Sequence, residues 1–198
     1  MRRDVLDRLH ARLGRVDGVG ASAHFAEALL RARARRLAMP RDGGGGAVAG
    51  KALLCCRIAA ERYGLALDEL SEVMELESWT PVPGQPQYLL GVTNLRGEIR
   101  PVLDLHALLG LPAPDAGARA WVIFADSGGS EVGLRVDALE SIAAVDAGSL
   151  TVPADTGNGL PQRFVAGIGS DGLIVLDIGK ILALDVLQDR RVDARHVS

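Results

Sequence analysis

One segment of the chain has the spacing of a phosphate-binding loop, which would bind a nucleotide. A glycine at position 45 is followed by four residues and then by Gly50 and Lys51. Ala52 occupies the position at which such a loop carries the Ser or Thr that holds magnesium. A run typical of a strand follows, where the loop requires a helix. We therefore interpret the segment as a linker that leads into the first strand.

Side chains that could hold a metal ion are scattered along the chain. The histidines are His10, His24, His106 and His196. They show no metal-ligand spacing among themselves, so we expect no metal site and expect them to be surface or capping residues. Cys55 and Cys56 are adjacent in a predicted strand, so their side chains should point to opposite faces and cannot form a disulfide. Unpaired cysteines suit a reducing, cytoplasmic environment.

Four aspartates follow strand-like runs and could be imagined as catalytic carboxylates. They are Asp68, Asp104, Asp137 and Asp177. No histidine, cysteine or nucleophile motif accompanies them, and a carboxylate that precedes a turn or a helix is typical of a cap. We interpret them as caps and expect neither enzymatic activity nor a cofactor. The alternative, an enzyme that uses these aspartates, would require a polar pocket around Asp104 or Asp177.

Four arginines cluster at positions 31, 33, 35 and 36, where they could bind a nucleic-acid backbone. Their spacing spreads them around a helix, and no aromatic residue is interleaved for base stacking. We favour a solvated or partner-facing helix over a nucleic-acid site. Salt-dependent retention on DNA or RNA that is lost with this helix would support the alternative.

Residues 1–46 form a separate, basic segment. Ten arginines stand against five acidic residues in 1–50, whereas 51–198 carry twelve Lys and Arg against twenty acidic residues. Apolar residues recur every three or four positions from Asp4 to Val16 and from Ser22 to Met39, which predicts two amphipathic helices. Gly43–Gly46 then predicts a flexible linker. We expect each helix to rest its apolar stripe on the rest of the chain or on a partner.

The remainder of the chain contains an internal repeat. Residues 63–73 return in similar form as residues 132–142. Gly91-Val92 returns, in the same order along the chain, as Gly167-Ile168. Two ordered matches indicate a duplicated unit of about 70 residues, which is long enough to bury a small core of its own.

Short apolar runs separated by Gly and Pro predict about five strands in each repeat. The runs are Ala52–Ala60, Tyr63–Leu67, Glu72–Leu76, Leu90–Leu95, Ile99–Leu103, Ala120–Ala125, Glu131–Val136, Ile142–Val145, Phe164–Ile168 and Leu173–Leu176. A hairpin turn is expected at Glu61-Arg62, and short helices are expected at His106–Leu109 and Ile178–Leu184. The predicted fold class is mainly β, with two tandem five-stranded β-barrels at about 51–112 and 117–186 preceded by an α-helical N-terminal extension.

The run from Tyr88 to Leu105, YLLGVTNLRGEIRPVLDL, resembles that of the CheW-like coupling proteins of bacterial chemotaxis. Val82–Pro86, Gly133–Asp137 and the segment from Gly167 to Leu182 share this resemblance. Together these segments represent almost all of residues 51–198. The resemblance implies a CheW-like domain over residues 47–198, with the two-barrel fold.

The resemblance also implies a function, that of a non-enzymatic signalling adaptor. Its implied partners are the cytoplasmic tip of a chemoreceptor (a methyl-accepting chemotaxis protein) and the regulatory domain of a CheA-type histidine kinase. We expect no nucleic-acid partner. We expect no membrane insertion, since no apolar run approaches the roughly 18 residues of a membrane span. The expected location is the cytoplasm, in association with receptor arrays.

The two repeats differ at Asn94-Leu95-Arg96-Gly97, an extra turn that the second repeat lacks. Asn94 and Gly97 are expected to adopt positive φ angles and to present Leu95 and Arg96 at the tip. Gly97 and Pro101 are the expected structural residues of this turn.

The resemblance implies that Arg96 lies near the groove between the barrels, where the helical receptor tip docks, and is held by Glu72. The expected receptor-side residues are Arg96, Glu72, Leu70, Asn94 and Leu95. A purely structural ion pair is the alternative. Removing one partner of a buried pair would cost about 3–5 kcal/mol, whereas an exposed pair would contribute at most about 1 kcal/mol.

The N-terminal extension departs from the simplest members of the family, which begin close to the first strand. Two hypotheses follow for its role. The basic second helix could pack on the acidic body and alter which receptor or kinase surface is accessible, or it could recruit a partner of its own.

Overall fold

The structure is a computed structural model that describes residues 25, 27, 50–126, 131–152 and 161–188. Phe25 and Glu27 are helical, in agreement with the helix expected from Ser22 to Met39. The rest of that helix, the helix expected from Asp4 to Val16 and the linker at Gly43–Gly46 lie outside the described residues.

The described part of the chain from residue 50 onward contains ten strands. They are β1 Lys51–Ile58, β2 Glu61–Ala66, β3 Leu70–Glu75, β4 Leu89–Leu95, β5 Glu98–Asp104, β6 Trp121–Asp126, β7 Glu131–Val136, β8 Ala138–Val145, β9 Val165–Ile168 and β10 Ile174–Leu176. β7 has the predicted bounds, whereas β8 begins well before the predicted start at Ile142. The first hairpin turns at Ala59 and Ala60 rather than at Glu61-Arg62, because Glu61 and Arg62 pair with β1 as strand residues.

Three short helices follow the strands: α1 Leu105–Leu109, α2 Ile178–Leu182 and α3 Asp185–Gln188. Asp104 caps α1, because its side chain accepts a hydrogen bond from the backbone N–H of His106. Asp177 caps α2 in the same way, by accepting from the N–H of Lys180. The expected capping role is confirmed for these two aspartates, which satisfy backbone donors that a helix N-terminus leaves unpaired.

The strands form two five-stranded sheets of the same design. Sheet A has the order β8-β1-β2-β10-β9, and sheet B has the order β3-β6-β7-β5-β4. When β6–β10 are counted as second copies of β1–β5, both sheets read third, first, second, fifth and fourth strand. The internal repeat is therefore visible in the strand order. Each sheet combines the first hairpin of one repeat with the last three strands of the other.

This exchange of hairpins means that the division into barrels at 51–112 and 117–186 is wrong. β1 and β2 belong to the sheet of β8, β9 and β10, while β6 and β7 belong to the sheet of β3, β4 and β5. The two hairpins have similar sequence patterns, so either could pair with either repeat. Four strand pairs make the exchange: β2 with β10 and β5 with β7 are parallel, and β1 with β8 and β3 with β6 are antiparallel.

In each sheet, an isolated backbone bridge connects one edge strand to the segment that follows the other edge strand. Thr80, after β3, exchanges two hydrogen bonds with Val92 of β4, and Thr151, after β8, does the same with Ile168 of β9. The bridged residues of β4 and β9 each follow a repeated glycine, Gly91 or Gly167. A Cβ on Gly91 would overlap the carbonyl group of Thr80, so the closing segment requires glycine there. These bridges favour closure of each sheet into a small barrel.

Alternate residues of the central strands face different apolar clusters. In β1, Leu53 and Cys55 belong to a cluster inside sheet A, while Leu54 and Cys56 belong to a larger cluster. In β6, Phe124 belongs to a cluster inside sheet B. The larger cluster, here called the inter-sheet cluster, takes buried residues from both sheets, including Leu54, Cys56, Ile58, Leu65, Leu70, Val73, Ile123 and Leu134. The expected opposite orientation of the two cysteines is confirmed.

Candidate protein-binding site

The turn between β4 and β5 has only two residues, Arg96 and Gly97. Their φ angles are 55° and 89°, and two successive positive φ angles are characteristic of a type I′ hairpin. Glycine adopts this conformation without strain, which confirms the turn role expected of Gly97. Arginine adopts it at a cost, and among the described non-glycine residues only Ala59 and Arg96 have positive φ.

Asn94 stabilises this turn through its side chain. Its Oδ1 accepts a hydrogen bond of 2.7 Å from the backbone N–H of Gly97. The expectation of a positive φ at Asn94 is wrong, because Asn94 is a regular β4 residue that pairs with Ile99 of β5. Asn94 therefore fixes the conformation in which Arg96 is presented.

Arg96 forms the expected ion pair with Glu72. Its Nη2 lies 2.9 Å from Oε2 of Glu72, on β3. Since β3 and β4 are the two edge strands of sheet B, the pair spans the same two edges that the bridge from Thr80 to Val92 joins. The hairpin tip is held against the neighbouring edge by this contact.

The exposure of the two side chains decides between the structural and the binding interpretation. The Arg96 side chain is 79% exposed and that of Glu72 is 24% exposed. An ion pair with one partner so exposed contributes at most about 1 kcal/mol to stability. The guanidinium has five N–H donors in a planar fork, so a contact to one carboxylate oxygen leaves most of its capacity available to a partner.

Two of the expected receptor-side residues are buried, and their placement on the surface is wrong. Leu95 is 5% exposed and belongs to the cluster inside sheet B with Val122 and Phe124. Leu70 is 2% exposed and belongs to the inter-sheet cluster. Because Leu95 is the last residue of β4 rather than part of the turn, strand alternation points its side chain inward.

Pro101 is a strand residue rather than a turn residue. It pairs with Val92 in the middle of β5, four positions after Gly97, the last residue of the turn. The parallel pairing of β5 with β7 begins one residue later, at Val102. Pro101 therefore lies just outside that ladder, where its missing N–H costs no bond.

Ile99 is an exposed apolar residue beside the turn that the sequence interpretation missed. It is 60% exposed and lies directly opposite Asn94 on the hairpin. Side chains alternate between the two faces along β5, which places Ile99 outward and Val102 inward. The correct turn boundaries would therefore have been enough to predict that Ile99 is exposed. The site thus combines a fixed cation with an apolar side chain.

A second polar cluster connects the two repeats at the other end of β5. His106 is 2% exposed; its Nε2 lies 2.9 Å from both carboxylate oxygens of Asp137, and its Nδ1 lies 2.5 Å from the carbonyl oxygen of Pro112. The Pro112 carbonyl oxygen can only accept, so Nδ1 donates to it, and Nε2 faces the Asp137 carboxyl group. Asp137 also accepts from the backbone N–H of Ala59 in the turn between β1 and β2. Arg135, which is buried, lies 3.4 Å from Asp104.

This cluster corrects two expectations. His106 is neither a surface nor a capping side chain, and a histidine does accompany one of the aspartates. Asp137 itself caps no helix; it binds His106 and the turn of the exchanged hairpin. Because both ring nitrogens contact fixed groups of the protein, the contacts that the cluster makes are those of a structural link between repeats.

No group of three or more potential metal ligands is found in the described ranges. No helix among the described residues is both long enough and apolar enough to cross a membrane.

Comparison with known proteins gives a consistent result. Residues 52–186 match the family described as CheW-like domain. A probable chemotaxis protein CheW of Rhizobium etli is 34% identical over 119 residues, which cover 59% of this chain and 75% of that protein. The chemotaxis protein CheW of Treponema pallidum is 28% identical over 144 residues, which cover 69% of this chain and 84% of that protein.

The crystal structure of the scaffolding protein TtCheW from Thermoanaerobacter tengcongensis is also similar. It has a TM-score of 0.61 and 28% identity, and the match covers 69% of this chain and 94% of that chain. Since the family match extends over more than half of the residues, with the same kind of fold in a solved relative, the chain belongs to the CheW-like domain family.

Proposed function

We propose that this protein is a non-enzymatic adaptor that couples chemoreceptors to a CheA-type histidine kinase. Membership of the CheW-like family supports this role, as do relatives named as chemotaxis proteins and a solved relative named as a scaffolding protein. The observation that carries the proposal for this chain is Arg96. Its guanidinium is highly exposed, yet it is fixed by a two-residue turn and by Glu72.

The receptor contact is proposed at the tip of the β4–β5 hairpin. A guanidinium aimed by a carboxylate can donate to backbone carbonyls or acidic side chains of a partner helix. Ile99 adds exposed apolar surface next to it, and Asn94 keeps the turn in place. A cation beside an apolar contact is a common composition for the centre of a protein interface, where arginine is enriched.

The kinase contact is proposed at the sheet ends near the closing bridges. Trp79 precedes the bridging Thr80 and Val152 follows the bridging Thr151, so each side chain belongs to a residue next to a bridge. Both are large apolar residues that are exposed, at 42% and 70%. A regulatory domain that is itself related to this fold could pack on such an end. A protein with these two partners acts in the cytoplasm, in association with receptor arrays.

The test is a charge reversal at Arg96 with a matched control, an arginine whose glutamate partner lies on the same strand, β3. Arg119 is also an exposed arginine paired with a glutamate of β3, Glu75, but at the other end of that strand. We expect Arg96→Glu to weaken binding to a purified chemoreceptor cytoplasmic fragment about tenfold or more, and Arg119→Glu to leave it nearly unchanged. Equal dissociation constants for the two variants, measured by titration calorimetry, would reject the proposed receptor site.

A further inference from the structure

Two acidic side chains beside the β4–β5 hairpin share one arginine. Arg100 of β5 forms ion pairs with Glu98, on the same strand, and with Glu131, at the start of β7. Its Nη2 contacts Oε2 of Glu98, and its Nε lies 3.6 Å from Oε2 of Glu131. The Arg100 side chain is 24% exposed, whereas that of Glu98 is 66% exposed. Arg100 therefore connects the first residue after the turn to the neighbouring strand.

The position of Arg100 is an unfavourable one for an arginine. Its Nε atom is shielded from solvent and forms no hydrogen bond with the described residues. A buried donor without a hydrogen bond lowers the stability of a protein. The internal repeat shows that an apolar residue can occupy the same place: Arg100 lies four residues before the capping Asp104, and Leu173 lies four residues before the capping Asp177. Leu173 is 1% exposed and packs inside sheet A.

The two acidic partners of Arg100 also have counterparts in the second repeat. Glu98 corresponds to Asp171, since each lies six residues before its capping aspartate. In each sheet, a glycine pairs with the residue two positions before that aspartate, and Glu131 and Arg62 each lie two residues before this glycine. Arg62 and Asp171 form a direct ion pair in sheet A, with Nη1 and Oδ2 3.4 Å apart.

Sheet B has lost this direct pair, because both of its counterparts, Glu98 and Glu131, are acidic. Two neighbouring carboxylates repel each other, and a cation between them removes the repulsion. Arg100 supplies that cation in the place where the second repeat has a leucine. The arginine thus compensates for a change of charge on β7.

Glu98 is also close to Arg96 along the chain. Only Gly97 separates them, so their Cα atoms are at most about 7.6 Å apart, which is within the combined reach of the two side chains. Glu98 and Glu72 lie on different strands, so pairing with one or the other aims the Arg96 guanidinium differently. A Glu98 side chain released from Arg100 would compete with Glu72 for Arg96.

We propose that Arg100 is a positioning residue for the receptor contact: it binds Glu98 and Glu131 and so leaves Glu72 as the carboxylate that aims Arg96. This inference rests on the proposed function and adds a residue to the same site. Arg100 acts through Glu98 and does not itself touch the receptor. The stability lost at its buried Nε is the cost of a defined direction for the exposed guanidinium.

The test compares the wild type with Arg100→Leu, which installs the side chain of the second repeat, in the full chain. Titration calorimetry gives the dissociation constant for a purified chemoreceptor cytoplasmic fragment. Nuclear Overhauser effects between the side-chain protons of Arg96 and Glu72 report their pairing in the free protein. If Glu98 holds Arg96 in about four of five Arg100→Leu molecules, the dissociation constant should rise about fivefold and the Overhauser effects should weaken in proportion.

Two double variants separate positioning from a general effect of charge. Arg100→Leu/Glu98→Gln and Arg100→Leu/Glu131→Gln both restore the net charge of the wild type, but only the first removes the competing carboxylate. We expect only Arg100→Leu/Glu98→Gln to restore the wild-type dissociation constant and Overhauser effects. Arg100→Met replaces Arg100→Leu throughout if the latter does not fold.

Each other outcome overturns the positioning role. Unchanged receptor binding in Arg100→Leu would do so, as would equal recovery in the two double variants or recovery in neither. If the wild type does not bind the receptor fragment, the proposed function fails, and the Overhauser effects decide the remaining question. Weakening in Arg100→Leu that only Glu98→Gln reverses would then still assign Arg100 the positioning of Arg96, whereas unchanged Overhauser effects would overturn it.

Discussion

At the scale of single residues, Arg96 and His106 illustrate two opposite uses of a polar side chain. Arg96 is held by one carboxylate and remains exposed, which suits a contact with another protein. His106 is buried, with both ring nitrogens within hydrogen-bond distance of fixed protein groups. Removal of the Arg96 side chain should weaken partner binding more than it lowers stability. Removal of the His106 side chain should lower the stability of the fold.

Substitution of His106 tests the second of these statements. We expect His106→Ala to lower the free energy of unfolding by roughly 1–3 kcal/mol, because Asp137 and the carbonyl of Pro112 lose a buried partner. The control is Lys180→Ala in α2, where an exposed lysine pairs with the capping Asp177 at 3.3 Å and should contribute less than about 1 kcal/mol. Urea denaturation of both variants measures the difference. Equal losses of stability would contradict the structural role of His106.

At the scale of elements, the bridge beside sheet B depends on a close approach of two chain segments. Thr80 and Val92 exchange two backbone hydrogen bonds, and Thr93 of β4 donates through Oγ1 to the carbonyl of Ser78. The approach is possible because Gly91 carries no Cβ, and its φ angle of 150° is one that other residues rarely adopt.

Replacement of Gly91 tests this requirement. We expect Gly91→Ala to lower the free energy of unfolding by about 2–4 kcal/mol, since a Cβ overlaps the Thr80 carbonyl group and the backbone is strained as well. Gly84 also has a positive φ, of 76°, but a Cβ there meets nothing within 4 Å. Gly84→Ala should therefore lower the free energy of unfolding by about 1 kcal/mol, the cost of the backbone strain alone, in the same chemical denaturation experiment. A Gly91→Ala variant no less stable than Gly84→Ala would show that the closing segment can move away.

At the scale of the whole molecule, exchange of the first hairpins joins the two sheets into one unit. Neither sheet can form from a single repeat, because each needs the hairpin of the other. The inter-sheet cluster, with residues from both sheets, adds to this dependence. The described domain should therefore unfold as a whole rather than one sheet at a time.

The two cysteines provide a test of this cooperativity. Burial raises the pKa of both thiols, and the two side chains lie in different clusters, Cys55 inside sheet A and Cys56 in the inter-sheet cluster. We expect neither to react with a thiol reagent in the native protein, and both to become reactive at the urea concentration at which the β-sheet circular dichroism signal is lost. Reaction of Cys55 in single-cysteine variants at a clearly lower urea concentration would show that sheet A opens independently.

Local features of this fold could be predicted from the sequence, and long-range pairing could not. The number and approximate positions of the strands, the caps Asp104 and Asp177 and the pair of Arg96 with Glu72 were predicted correctly, since each depends on local pattern or on a specific family motif. The exchange of hairpins was missed because the two repeats have the same pattern, so that pairing within a repeat and pairing between repeats satisfy it equally well.

The errors at the candidate site have a common cause in strand phase. Treating Asn94 and Leu95 as turn residues shifted the expected surface by two positions, which placed Leu95 outside and left Ile99 unnoticed. His106 was misjudged because its partner Asp137 is distant in sequence, and a single sequence has no signal for such a contact.

The most direct test of the central claim is receptor binding by the charge-swapped variant Glu72→Arg/Arg96→Glu, compared with Arg96→Glu alone. The swap keeps an ion pair of reversed polarity, so the free energy of unfolding should stay within about 1 kcal/mol of the wild-type value. Because a partner requires the cation at the turn, the dissociation constant for the chemoreceptor fragment should remain as weak as that of Arg96→Glu. Restoration of wild-type affinity by the swap would contradict the account, since it would mean that the pair only holds the hairpin in place.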